Sequence, residues 1–161
     1  MKFNSTFPSW ARTGLLASGI FNLLLAFLHV LGLVWADDMF RFTGIEDVML
    51  GLARIDPSIP YVVTVIVAGF FLLFGLMILS AAGRLWRFFR SPEVALVIGL
   101  IYVIRGLSGL GAALAGLSSA GIELESLFSF VALAVGLLTV ASAWTAIRHR
   151  LPIDYDSEWA A

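Results

Sequence analysis

The sequence predicts an all-α integral membrane protein: a four-transmembrane-helix bundle of two αα-hairpins, with a short amphipathic interfacial helix in the first outer loop. Three observations carry this. Hydrophobic types make up 60% of the 161 residues and charged types 13%, far from the balance of a water-soluble domain. Four uninterrupted apolar stretches, 13–36, 61–82, 94–117 and 126–147, each exceed the roughly 20 residues that cross a hydrocarbon core as helix. The basic residues also gather on one side of those stretches. The chain 1–161 reads as one four-span domain, with 148–161 as a short cytoplasmic tail.

The first span ends at the Asp37-Asp38 pair with no small-x-small cleavage site before it, so it is expected to remain in the mature protein. Lys2 and Arg12 precede it, Arg84, Arg87 and Arg90 separate spans two and three, and Arg148 and Arg150 follow span four. The other side carries Arg41 and Arg54 among Asp37, Asp38, Glu46, Asp47, Asp56, Glu123 and Glu125. The positive-inside rule therefore puts both termini in the cytoplasm, and the expected location is a bacterial inner (plasma) membrane. Interfacial aromatics agree: Trp10, Trp86 and Trp144 fall at inner ends, Trp35 and Tyr61 at outer ends.

Between spans one and two, Thr43-Gly44-Ile45-Glu46 matches a capping box. Ile45, Val48, Met49, Leu52 and Ile55 then recur at helical spacing until Asp56-Pro57 stops the run. This predicts a short amphipathic helix lying on the outer membrane surface; the plainer alternative is a lid that simply covers the end of the bundle. Pro60 suits the first turn of span two, and Ser91-Pro92-Glu93 supplies an N-cap, a first-turn proline and a first-turn carboxylate for span three. The 118–124 turn is short, so spans three and four are expected to form a tight hairpin. The 84–90 run reads as an inner-leaflet anchor for anionic lipid, and the acidic 154–158 tail as a solvated end.

A faint repeat aligns Gly75 to Ala82 of span two with Gly136 to Ala143 of span four. Small residues supply the packing faces, because apolar burial does not drive helices together inside lipid. Span three carries Ser108, Ala112, Gly116 and Ala120 on one row with Gly109 and Ala113 beside it; Gly14 and Ser18, and Ala132 and Gly136, offer similar rows. Packing within the chain is the default use of these faces, and pairing of two copies into a homodimer is the alternative.

Arg105 is the one basic residue inside a span. It sits twelve residues from both Glu93 and Leu117, roughly 18 Å from either end of the expected helix. A guanidinium at that depth costs roughly 2.5 to 3.5 kcal/mol on insertion scales, which favours an interior or hydrated position. Tyr102 and Ser108 flank it at three-residue spacing, and Ser18, Asn22 and His29 form a matching stripe on span one. The expected ligand-binding residues are therefore Arg105, Tyr102, Asn22, His29 and Ser108, in a polar pocket between spans one and three where Asn22 and Tyr102 meet the guanidinium. No carboxylate lies at that depth to act as counter-ion.

The function expected from this arrangement is binding of a lipid-like or other amphiphilic molecule, or service as an accessory membrane subunit. Guanidinium chemistry favours an anionic amphiphile, and membrane lipids are the expected partners. One rival is a membrane-embedded lipid-modifying enzyme using His29 and Tyr102 as acid and base; another is a proton- or ion-coupled transporter, weakened by the missing acid. Catalytic residues are not assigned. No cofactor is expected, and a metal site from His29, Asp37 and Asp38 is disfavoured because a single histidine with two acids is a poor ligand set. Ten Lys and Arg against eleven Asp and Glu leave no basic excess for nucleic acid. The sequence lacks cysteine, which excludes disulfides and thiolate chemistry, and it contains no phosphate-binding loop, nucleophile elbow or dinucleotide fingerprint.

Overall fold

The computed structural model describes residues 8–83, 91–115 and 122–149, with the side chains of 122–125 excepted. The expectations placed on Trp86 and the 84–90 run, on Gly116 and Ala120, on the 118–121 turn and on the tail beyond 149 lie outside the described residues. The described chain is all-helical: α1 (Ser9–Gly32), a 3-10 turn (Leu33–Trp35), α2 (Ala36–Phe42), α3 (Glu46–Ala53), α4 (Ile59–Ala81), α5 (Pro92–Leu114) and α6 (Ile122–Arg148). Four of these helices are long and apolar enough to span a membrane, and no strand occurs among the described residues.

Around the bundle the order is α4, α1, α6, α5, with α1 packed most closely on α4 and α5 on α6. α1 and α5 therefore face each other across the diagonal. Glycine governs the two close pairs. A Cβ on Gly75 would lie 3.0 Å from the Gly19 carbonyl oxygen, and one on Gly136 would lie 2.9 Å from the Gly99 carbonyl oxygen. Each pair is a place where only hydrogen lets the two backbones approach.

The faint repeat has a structural counterpart. In α4 and α6, the aligned pairs Ala68 and Ser129, Gly75 and Gly136, Ile78 and Thr139, Ala81 and Ser142, and Ala82 and Ala143 are all buried. With Gly19 set against Gly99, Leu15 and Ala95, Ser18 and Ile98, Asn22 and Tyr102, and Ala26 and Gly106 are likewise buried in both α1 and α5. The two helix pairs thus present the same buried pattern to each other, and Asn22 and Tyr102 occupy equivalent positions in it.

Of the two adjacent small-residue rows expected on span three, the one through Gly109 and Ala113 is buried. Gly99, Tyr102, Gly106, Gly109 and Ala113 are buried, whereas Ser108 is exposed and Ala112 half-buried. Gly106 sets the phase, since a Cβ there would lie 2.7 Å from the Leu133 backbone nitrogen.

Helix ends also differ from the expected pattern. Thr43 does not cap α3; its hydroxyl donates back to the carbonyls of Met39 (2.7 Å) and Phe40 (3.3 Å), closing α2, a helix the sequence reading left as loop. Gly44, at φ 74, reverses the chain so that α3 can begin at Glu46. Ser91 does precede the first turn of α5, with Pro92 and Glu93 in it, but its hydroxyl donates to the Glu93 carboxylate at 2.8 Å instead of accepting from the backbone. α6 starts at Ile122, ahead of the expected Ser126.

Side chains fill the two halves of the bundle differently. Leu15, Ile78, Ala81, Ala95, Ile98, Ala143 and Ala146 form one buried cluster from all four long helices, in the half away from α2 and α3. In the other half Leu25 and Leu28 of α1 and Val63 and Val67 of α4 line an open space bounded by α2 and α3.

Candidate functional site

The expected polar site divides into three parts. Asn22 and Tyr102 do meet. The Tyr102 hydroxyl donates to Asn22 Oδ1 at 2.7 Å, and Asn22 Nδ2 donates to the Ser18 carbonyl at 2.9 Å. Asn22 is 0% and Tyr102 8% exposed, so the pair is sealed inside the bundle. Asn22 was expected to accept from a guanidinium; the tyrosine takes that place. Buried hydroxyls of Ser18, Ser129 and Ser142 have no hydrogen-bond partner among the described residues, and Ser142 Oγ fills the space in front of Gly14.

Arg105 and Ser108 lie elsewhere. Both are exposed on the flank of α5, and the Ser108 hydroxyl donates to the Arg105 carbonyl at 3.0 Å. Three-residue spacing from Tyr102 was read as one shared face, yet the buried row through Gly99, Tyr102, Gly106 and Gly109 passes to one side of Arg105. α5 ends at Leu114, so Arg105 is nine residues from that end, about 14 Å by helical rise rather than the ~18 Å expected. A guanidinium there has a shorter path to the interface than the sequence spans implied.

His29 belongs to a cavity. A space of about 360 Å³ opens between α1, α4 and the α2–α3 roof, walled by Leu25, Leu28, Phe40, Met49, Val67 and Phe128, with His29, Thr43 and Thr64 as its polar side chains. Each of these three has already spent its donor on its own helix. His29 Nδ1 is 2.8 Å from the Leu25 carbonyl, Thr64 donates to Pro60 at 2.8 Å, and Thr43 donates to Met39. A carbonyl only accepts, so Nδ1 carries a proton toward it. The imidazole is further fixed against Phe71, ring centroids 4.9 Å apart. The rest of this wall is aliphatic and aromatic.

Half the predicted amphipathic stripe builds the roof of this cavity. Ile45 and Met49 line it, while Val48 and Ile55 point outward. The residues that sequence reasoning missed, Leu25, Leu28, Val63, Val67 and Phe128, are ordinary span residues whose only signal was bulk opposite a covering helix.

A second, outer cavity of about 370 Å³ is lined by Asp37, Phe40, Arg41, Glu46, Met49 and Tyr61 and, like the first, is open at one side. Phe40 and Met49 line both cavities. Arg41 is 3.4 Å from Glu46 and 4.0 Å from Asp38, so its charge is already offset. Next to it, the Asp56 carboxylate accepts the Ser58 hydroxyl at 2.6 Å and the Ser58 amide at 2.7 Å, which holds its carboxyl below the usual aspartate range and fixes the approach to α4. The disfavoured metal set stays divided: His29 lines the inner cavity and Asp37 the outer one. Among the described residues no three His, Cys, Asp or Glu side chains gather as a metal site.

Neither protein-family models, nor curated proteins, nor solved structures match this chain. Function therefore has to be argued from the cavities themselves.

Proposed function

We propose that this is an integral membrane protein of a bacterial inner membrane that binds one lipid-like amphiphile, with the apolar part of the ligand in the inner cavity beneath α2 and α3. The observation that carries the reading is the cavity wall. A space of about 360 Å³ with an aliphatic and aromatic wall suits hydrocarbon.

Membrane insertion follows from what the long helices leave outside. Ile20, Leu24, Phe27, Val65, Phe70, Leu72, Ile104, Leu107, Phe130 and Leu137 are all exposed on the bundle flanks. In water that surface would be an aggregation liability, and acyl chains are its natural solvent. The roof end carries Asp37, Asp38, Glu46, Asp47 and Asp56 against Arg41 and Arg54, whereas Arg12 and Arg148 mark the opposite end. The positive-inside rule then sets the roof outside and both termini in the cytoplasm. Exposed Trp35 and Tyr61 at the roof end and exposed Trp10 and Trp144 at the other fit two interfaces, and Arg148 stacks over Trp144 at 4.9 Å. α3 then rides at the outer surface, part roof and part interfacial helix.

Binding is favoured over acid–base catalysis because the Tyr102 hydroxyl is engaged by Asn22 and lies outside the cavity that His29 lines. The test is native mass spectrometry of gently extracted protein, with Val67→Trp as a cavity-filling variant. The wild type should retain a stoichiometric lipid-sized mass that Val67→Trp loses. Identical adduct patterns in the two would remove the inner cavity as the binding site, and a retained lipid that changes mass on incubation would favour the enzyme.

A further inference from the structure

We propose that the amphiphile carries a cationic head, an alkylammonium or quaternary ammonium group, seated in the outer cavity while its chain passes between Phe40 and Met49 into the inner one. The inference rests on the binding reading above and adds the chemistry of the head. The two cavities adjoin through two shared side chains, Phe40 and Met49. Methionine is unbranched and re-packs easily, which suits a partition that a chain can thread.

The sign of the head follows from the charges on the roof. Asp37, Asp38, Glu46 and Asp47 stand on α2 and α3 against Arg41, with Arg54 just past the end of α3. Arg41 is taken up by Glu46 and Asp38, whereas Asp37 is exposed at the cavity edge. An anionic head placed against Arg41 would have to displace these carboxylates and face Asp37 as well. An ammonium meets the opposite situation. Asp37 and Glu46 line the cavity together with Phe40, Tyr61 and Arg41, so with Glu46 set against Arg41 the Asp37 carboxylate leaves the lining acidic, and aromatic side chains with a carboxylate are the surroundings that hold quaternary ammonium groups. The inner cavity adds to this, since the Thr43 and Thr64 hydroxyls already donate to backbone carbonyls and do not face a carboxylate or phosphate. The anionic ligand expected from the sequence depended on Arg105, which stands on the flank of α5, away from both cavities.

The experiment uses the full chain in phosphatidylcholine nanodiscs and two photoprobes that share an alkyl chain with a terminal diazirine. One ends in trimethylammonium and the other in sulfonate. Labelled peptides are mapped by mass spectrometry, with the unlabelled alkyltrimethylammonium as competitor. The ammonium probe should label the inner walls, residues 25–33 and 63–67, more than the sulfonate probe does, and the competitor should displace it. Asp37→Asn and Glu46→Gln should each lower that labelling by up to about fivefold, the affinity change from one partly exposed charge pair. Equal or stronger labelling by the sulfonate, or ammonium labelling indifferent to both substitutions, overturns the cationic head while leaving the tail cavity standing. If neither probe reaches the inner walls, the binding reading falls with it.

Discussion

Tyr102 of α5 and Asn22 of α1 are joined by a 2.7 Å hydrogen bond across the diagonal of the bundle, at positions that are equivalent in the two similar helix pairs. A polar bond at this point fixes the rotation of both helices, because a turn of either would leave a buried oxygen without a partner. In lipid such bonds average about 0.6 kcal/mol and reach about 1.7 kcal/mol in double-mutant cycles. Tyr102→Phe and Asn22→Leu should each destabilise the bundle, and the double variant should cost less than the sum, with a coupling in that range. Unfolding in mixed micelles across the cycle reads the coupling directly.

That pair was legible in the sequence because polar residues inside apolar helices stand out and have few places to go. The four spans were legible for the same reason, as were the covering helix after span one and the first turn of α5. Arg105 was not. Its depth and its neighbours at three-residue spacing were visible, but the rotation of α5 is set by Gly99 and Gly106 meeting α6, where hydrogen replaces a side chain, and the spacing marked that face only at Gly109 and Ala113. The inner cavity was invisible for a related reason: an unfilled space is a relation between Leu28, Val67, Phe128 and the roof, which sequence separation conceals. Thr43 misled because a threonine three residues before a glutamate serves equally well as the end of the preceding helix.

The glycines of α5 make a matched comparison. A Cβ on Gly106 would lie 2.7 Å from Leu133 backbone, whereas one on Gly111 meets nothing within 4 Å. Gly106→Ala should destabilise by about 1 to 3 kcal/mol through overpacking. Gly111→Ala should be neutral or stabilising, by no more than about 1 kcal/mol. The same micelle unfolding measurement compares them.

Because the sequence has no native cysteine, single introduced cysteines report orientation without background. Ser58→Cys, on the exposed approach to α4, should react with an impermeant thiol reagent added outside cells, and Ser9→Cys, at the start of α1, should react only after permeabilisation. The reverse pattern would invert the topology.

The Asp56 carboxyl titrates below the usual aspartate value because Ser58 donates two hydrogen bonds to its charged form. A group depressed in this way stabilises the fold above the ordinary value of about 3.9 and loses that contribution as pH falls through its own lower value. The Ser58 amide resonance should therefore shift with a midpoint below about 3.9. Ser58→Ala should move the Asp56 midpoint upward by removing the hydroxyl, the larger of the two causes.

The central claim is that the inner cavity holds hydrocarbon. An experimental density map of the protein in lipid nanodiscs examines it most directly. A continuous elongated density is expected, running from beside His29, beneath Phe40 and Met49, toward the Arg41 side of the roof. A cavity closed by its own side chains, with Met49 and Phe128 in contact and α3 collapsed onto α4, would contradict it.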